Sequence, residues 1–136
     1  MIVLVQANVM TVGLNGKSKV LRELPIEVME MQSGQEAARS LKTEKVDSVI
    51  SNWDLVDMKD GLFVERLKAV KPGIPTIVFV KAGDKQQEIK ARSLGASAVL
   101  TENTDDEQFL KTVANVLGIK DAISIKAMVA ADKHSS

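Results

Sequence analysis

The sequence predicts an α/β fold, a doubly wound (βα)5 domain built on a five-stranded parallel sheet. Three observations predict it. Short β-branched apolar runs alternate with segments of helical periodicity over residues 1 to 118. The connections are short and punctuated by Gly, Pro and Asn, so crossovers should be right-handed. The central run, Val46 to Ser51, empties into a polar loop, Asn52 to Asp60, before Gly61 opens an amphipathic stretch. That is where open α/β sheets place their sites, at the carboxyl ends of parallel strands.

Taken in order, Ile2 to Val5 is a continuous apolar run, as expected of a strand buried on both faces. Gln6, Ala7 and Asn8 then fall at its carboxyl end. Thr11 to Leu24 has helical spacing at Val12, Val20, Leu21 and Leu24, but Gly13 and Gly16 predict a late or irregular start. Pro25 closes it, and Ile26, Val28 and Met31 mark a short strand. Ser33 is the N-cap expected for a helix over Gly34 to Thr43, with Ala37, Ala38 and Leu41 inward. After the central strand and loop, Phe63, Val64, Leu67 and Val70 form the apolar face of the next helix, with Asp60 as its expected cap. Lys71-Pro72-Gly73 stops it. Pro75 to Val80 is the most strand-like run of the chain. Gly83-Asp84 opens a polar helix to Leu94 that buries little. Ser97 to Leu100 is a last strand, and Thr104 the expected cap of a helix with Phe109, Leu110, Val113, Val116 and Leu117 inward and Gly118 at its end. Residues 119 to 136 form an extension, read as a short helix laid on the domain or a frayed tail, with a linker or dimerisation helix as the other reading.

Composition narrows the function classes. Apolar residues make up 45% and charged residues 26%, and eighteen basic residues balance eighteen acidic ones. No basic field steers this domain to nucleic acid or holds it on an anionic membrane. The absence of cysteine removes disulfides, thiolate nucleophiles and cysteine metal sites. Apolar runs of about five residues fall far short of the roughly 18 that span a bilayer. Met1 begins no positively charged region of a secretory signal. A cytoplasmic location is expected. His134, the single histidine, lies in the tail and reads as a surface residue. A nucleotide binder needs a phosphate cradle, and Gly13, Gly16, Lys17 and Ser18 are too closely spaced for the phosphate-loop pattern.

Five features in order carry a family resemblance: SGQEAARSL at Ser33 to Leu41, VDSVISNWDLVDMKDGL at Val46 to Leu62, Gly61 and Leu62 where that loop feeds the next helix, IPTIVFV at Ile74 to Val80, and GASAVL at Gly95 to Leu100. Together they resemble the response-regulator receiver domain, the doubly wound module of bacterial two-component systems and phosphorelays. The resemblance implies the flavodoxin-like strand order 2-1-3-4-5. It also implies a definite chemistry. Two acidic residues after the first strand hold magnesium, and an aspartate at the end of the third strand takes a phosphoryl group. A Thr or Ser after the fourth strand and a Lys after the fifth bind its oxygens. The logic is charge balance between the cation, the carboxylates and the phosphate.

Residue by residue, the chain departs from that set. The acidic pair falls on Gln6 and Ala7, with Asn8 next; the phosphoacceptor falls on Asn52, whose amide is not a nucleophile at neutral pH. The hydroxyl position falls on Val80 or Lys81, the lysine on Glu102, with Asn103 in place of the usual proline, and the reporter aromatic on Val99. Lys59 is an extra residue in the loop. The resemblance therefore implies a degenerate pseudo-receiver, a non-catalytic signalling module that uses no cofactor. Its partner would be a signalling protein or an output domain, and a homodimer stays open. By position on the family's usual contact face, the candidate contact residues are Lys90, Arg92, Val99, Glu102, Asp105 and Lys111. Trp53, flanking the pocket, is the candidate hot spot. Lys81 and Glu102 could pair across the old pocket. The alternative is a receiver that takes phosphate at Asp54 or Asp57 with weak magnesium help, Asp60 completing an acidic trio whose bland reading is a solvated loop.

Overall fold

The computed structural model describes residues 7–119, so Ile2 to Val5, Gln6 and the extension beyond Ile119 lie outside the described residues. Five strands form one all-parallel sheet: β1 (Ala7–Val12), β2 (Ile26–Met31), β3 (Ser48–Asn52), β4 (Thr76–Val80) and β5 (Ala98–Thr101), in the order β2-β1-β3-β4-β5. A 3-10 helix (Asn15–Glu23) and four α-helices connect them: α1 (Gly34–Thr43), α2 (Leu62–Val70), α3 (Lys85–Ser93) and α4 (Asp106–Leu117). The sheet is buried on both sides because strand side chains alternate. Val9, Ile50, Ile77 and Phe79 meet Leu21, Leu24, Phe109 and Val113 from the 3-10 helix and α4. Met10, Val12 and Val49 meet Ala37, Phe63 and Leu67 from α1 and α2. Trp53, Val64, Val78, Val80 and Ala91 close the second layer beneath α3.

The first strand corrects the sequence reading. It is Ala7–Val12, in register Val9↔Ser48 and Val12↔Ser51 with β3. Ala7 and Asn8 therefore stand at its amino end, opposite the site. The Asn8 N–H donates to the Asp47 carboxylate (2.7 Å), and its carbonyl accepts from the Asp47 N–H (2.8 Å). Val9–Val12 pairs with β2 and β3, whereas Ile2–Val5, the run read as the strand from the sequence, lies outside the described residues. Thr11 and Val12, read as helix, belong to this strand. The segment behind it does start late and irregularly. Gly13 turns in the left-handed region (φ 68°), and Ser18, Leu21 and Leu24 are buried at a spacing of three, the 3-10 repeat.

Helix ends explain two further differences. Ser33 caps α1 as expected, accepting from the Glu36 N–H at 3.2 Å. Asp60 does not cap α2: the cap position is Gly61, in the left-handed region with no side-chain bond. Thr104 does not cap α4; Asp105 does, accepting from the Gln108 N–H at 2.8 Å, while the Thr104 hydroxyl closes the preceding turn on the Thr101 N–H. Val70, placed on the inner face by periodicity, is 77% exposed because α2 ends there and its last turn leaves the sheet. Ile89 is 61% exposed on α3, the polar helix expected to bury little.

Candidate functional site

The carboxyl ends of the strands enclose a cleft of about 270 Å³ lined by Lys17, Asn52, Trp53, Asp54, Phe79, Val80, Lys81, Gln87 and Glu102. Asn52, Val80, Lys81 and Glu102 thus converge, as the motif spacing predicts. Asn52 ends β3 opposite Phe79. Its side-chain amide donates to the Gly13 carbonyl, tying the tip of β3 to the turn after β1. Val80 is a buried wall of the cleft, and Lys81 is the exposed residue beyond it, whose N–H donates to the Gln87 amide oxygen (2.9 Å). Neither offers a hydroxyl. Glu102 lines the same cleft, but the pairing with Lys81 that the sequence left open is not made. Ion pairs formed between described residues include Lys90–Asp60, Arg92–Glu88 and Lys111–Glu107.

Because β1 ends at Val12, the residues that follow it at the site are Gly13 and Leu14, and Ala7 stands at the other end of the strand. Leu14 is buried in the core. A Cβ at Gly13 would lie 2.8 Å from Leu55 Cδ2, the tip of a flexible side chain, so Leu55 would have to shift to admit it. The loop carboxylates do not converge either. Asp57 turns away to the amino end of α1, where it accepts from the N–H groups of Gly34 (2.8 Å) and Gln35 (2.9 Å). These bonds hold its pKa below the ordinary carboxylate value. Asp54 accepts from the Asp60 N–H at 2.6 Å, and Asp60 faces Lys90 at 3.5 Å. No group of three or more His, Cys, Asp or Glu side chains that could hold a metal ion exists among the described residues. Hard cations need several converging oxygens, and Asp54, Asp57 and Asp60 each turn to a different partner instead of to one point.

Trp53 flanks the cleft but is only 2% exposed. Its indole lies against Gly61, where any Cβ would overlap the ring, and packs with Val64, Val78, Val80 and Ala91. It is a core residue, and the reading of it as a contact hot spot is corrected. Asp60 and Gly61 both take left-handed conformations (φ 54° and 75°), and the Gly61 N–H donates to the Trp53 carbonyl at 3.0 Å, folding the loop back over the ring.

Sequence reasoning weighed Lys17 only as part of a phosphate loop, and Gly13 as part of that loop or as a weak point in a helix, yet the Lys17 ammonium sits 4.8 Å from the centroid of the Phe79 ring at the cleft. It missed Leu55 altogether. The available signal was the Val9–Val12 run ending at a glycine, overshadowed by the apolar run before it. On the flank, Lys90 and Arg92 lie on α3, Val99 on β5, and Asp105 and Lys111 at α4, as expected. Three of their charges are engaged in ion pairs, Asp105 serves as a cap, and Val99 packs half-buried against the Trp53 cluster.

The model of the response regulator receiver domain family matches residues 11–114. This chain belongs to that family. Receiver domains are the input modules of two-component signalling. Among curated proteins, the transcriptional regulatory protein GlrR of Escherichia coli (strain K12) is 29% identical over 90 residues, 66% of this chain and 20% of its own length. The receiver domain described here therefore spans about a fifth of that relative. Two solved structures share the fold. The signal receiver domain of an HD domain-containing protein from Pseudomonas fluorescens Pf-5 superposes with a TM-score of 0.75 at 22% identity, covering 84% of this chain and 96% of that one. The chemotaxis response regulator CheY4 of Vibrio cholerae does so with a TM-score of 0.71 at 21% identity, over 82% and 99%.

Proposed function

We propose that this receiver domain is a non-catalytic signalling module that acts by binding another protein, without aspartyl phosphorylation and without a metal cofactor. The observation that carries this reading is the occupation of the site after β1. Leu55 fills the space beside Gly13, and the Asn52 amide is spent on the Gly13 carbonyl. Phosphoryl transfer by this family needs a carboxylate nucleophile and a cation to balance its charge against the incoming phosphate. Here an amide stands at the nucleophile position, apolar carbon at the cation position and Glu102 at the lysine position. The partner is a signalling protein or an output domain, and the place of action is the cytoplasm. No helix among the described residues is long and apolar enough to cross a membrane.

One observation favours a second reading: Asp54 is exposed and shares the cleft with Lys17 and Lys81. In that reading Asp54 would take phosphate with weak magnesium help. Asp57, bound to the start of α1, is the poorer acceptor of the two. An amide NMR titration with magnesium, then magnesium plus beryllium fluoride, separates the readings. The non-catalytic module shows no saturable shifts at Asn52 to Asp60, Lys81 or Glu102. Saturable shifts there, abolished by Asp54→Ala, would overturn it in favour of the second reading.

A further inference from the structure

On the side of the sheet carrying α1 and α2, a narrow groove of about 190 Å³ opens between these helices. Its floor is apolar: Met58, Phe63 and Leu67 are core residues seen from outside, Leu41 is half-buried, and Val70 stands 77% exposed at one end. Val70 is one of only three large apolar side chains exposed among the described residues. The charged residues lining the groove are Lys42, Arg66 and Lys71; no carboxylate lines it. In a chain whose charges cancel overall, three cations without an acid around an apolar slot form a local exception.

We propose that this groove binds an acidic amphipathic helix of a partner protein. The inference rests on the reading that the receiver domain works by binding protein, and it names the surface. The slot is smaller than the ~300 Å³ at which small-molecule sites begin, so it suits apolar side chains inserted from a helix lying along it. Lys42, Arg66 and Lys71 then face the acidic flanks of that helix, steering its approach and setting its orientation. Two occupants from this chain fit less well. Residues 120–136 carry three lysines against two aspartates, so they bring no acidic excess. The acidic first turn of α4, Asp105 to Glu107, carries Phe109 buried, so a second copy would offer charge without an apolar anchor. On the α3–β5–α4 flank, by contrast, Lys90, Arg92 and Lys111 are already paired within the molecule.

The test titrates the isotope-labelled full chain with a synthetic helix of about 16 residues, Leu along one face and Glu elsewhere. A Lys-for-Glu copy serves as control. Saturable amide shifts confined to Ala38 to Lys42 and Met58 to Lys71 are expected. Binding should weaken at least tenfold in Arg66→Glu/Lys71→Glu and in Val70→Glu, and should weaken as salt rises. Arg66 and Val70 are exposed, so unchanged spectral dispersion will show that these variants stay folded. Absence of saturable shifts, equal binding of the Lys copy, or shifts on the α3–β5–α4 flank would each overturn the proposal. So would concentration-dependent shifts at the groove without peptide, which would assign it to a second copy. The beryllium fluoride titration on the same sample keeps the two readings apart. Shifts at the cleft with the peptide still seated in the groove would sink the non-catalytic reading alone. A silent cleft with an empty groove would sink the docking site alone.

Discussion

Leu55 stands where a side chain on Gly13 would have to go, its Cδ2 2.8 Å from the position of a Cβ there. Gly13 also holds φ at 68°, a conformation that side chains disfavour. The turn after β1 and the loop after β3 are thus packed on each other through carbon, with the Asn52 amide bridging them. Gly13→Asp should destabilise the domain by about 2–4 kcal/mol, from backbone strain and overpacking together. A cycle with Leu55→Ala, read by urea unfolding, should show the two changes coupled by about 1 kcal/mol, the double variant losing less than the sum. Additive losses would mean the two residues do not share that space. Neither Gly13→Asp nor Gly13→Asp/Asn52→Asp should acquire magnesium-dependent shifts while Leu55 remains.

Trp53 is the only tryptophan, and it is buried under Gly61. Its emission should be blue-shifted and poorly quenched by acrylamide in the native state, moving red only on unfolding. Trp53→Ala should lose about 3–5 kcal/mol. Gly61→Ala should also be strongly destabilising, since it meets both the indole and a φ of 75°. A red-shifted, readily quenched native emission would contradict the buried packing.

Asp57 ties the β3–α2 loop to α1 through two backbone N–H groups. Those bonds lower its pKa in the folded chain relative to the unfolded one, so folding favours the carboxylate. Its contribution is therefore complete above the ordinary value near 3.8 and is lost as pH falls through the lower folded value. Asp57→Asn should lower the thermal midpoint at neutral pH, with the gap from the parent closing in acid. A constant gap from neutral pH to below the carboxylate range would refute a charge-dependent tie.

The Lys17 ammonium over Phe79, and the edge-on contact of Phe79 with Phe109 at 5.1 Å, join the cleft to the core. Lys17→Ala should lose about 0.5–1 kcal/mol, the range for a solvent-exposed cation against a ring. In a Phe79→Leu background that loss should shrink toward zero. Persistence of the full loss there would assign it to some other contact of Lys17.

Much of the site could be read in advance because it follows motif spacing. Asn52, Lys81 and Glu102 end adjacent parallel strands, and the sheet brings such ends together whatever the residue types. Ala7 and Asn8 were misplaced because periodicity favoured the apolar run before them, while pairing with β2 and β3 puts Ala7 to Val12 in β1; Gln6 lies outside the described residues. The Asp54, Asp57 and Asp60 trio looked like one cluster in the chain. Each finds a different nearby partner, respectively the Asp60 N–H, the start of α1 and Lys90. Only the first of these partners lies within the loop; the other two are more than 20 residues away in the chain, and residue spacing carries no trace of them.

By itself the sequence determined the alternation of strands and helices, the polar character of α3, the cap at Ser33, and the lack of a carboxylate at the end of β3. These rest on local periodicity and residue chemistry. Only the tertiary structure decided which run is β1, that Leu55 fills the space beside Gly13, that Trp53 is core, and that Lys42, Arg66 and Lys71 gather around one apolar groove. These depend on which residues distant in the chain come into contact, and that is set by packing two layers of helices onto a sheet, where shape complementarity overrides local preference.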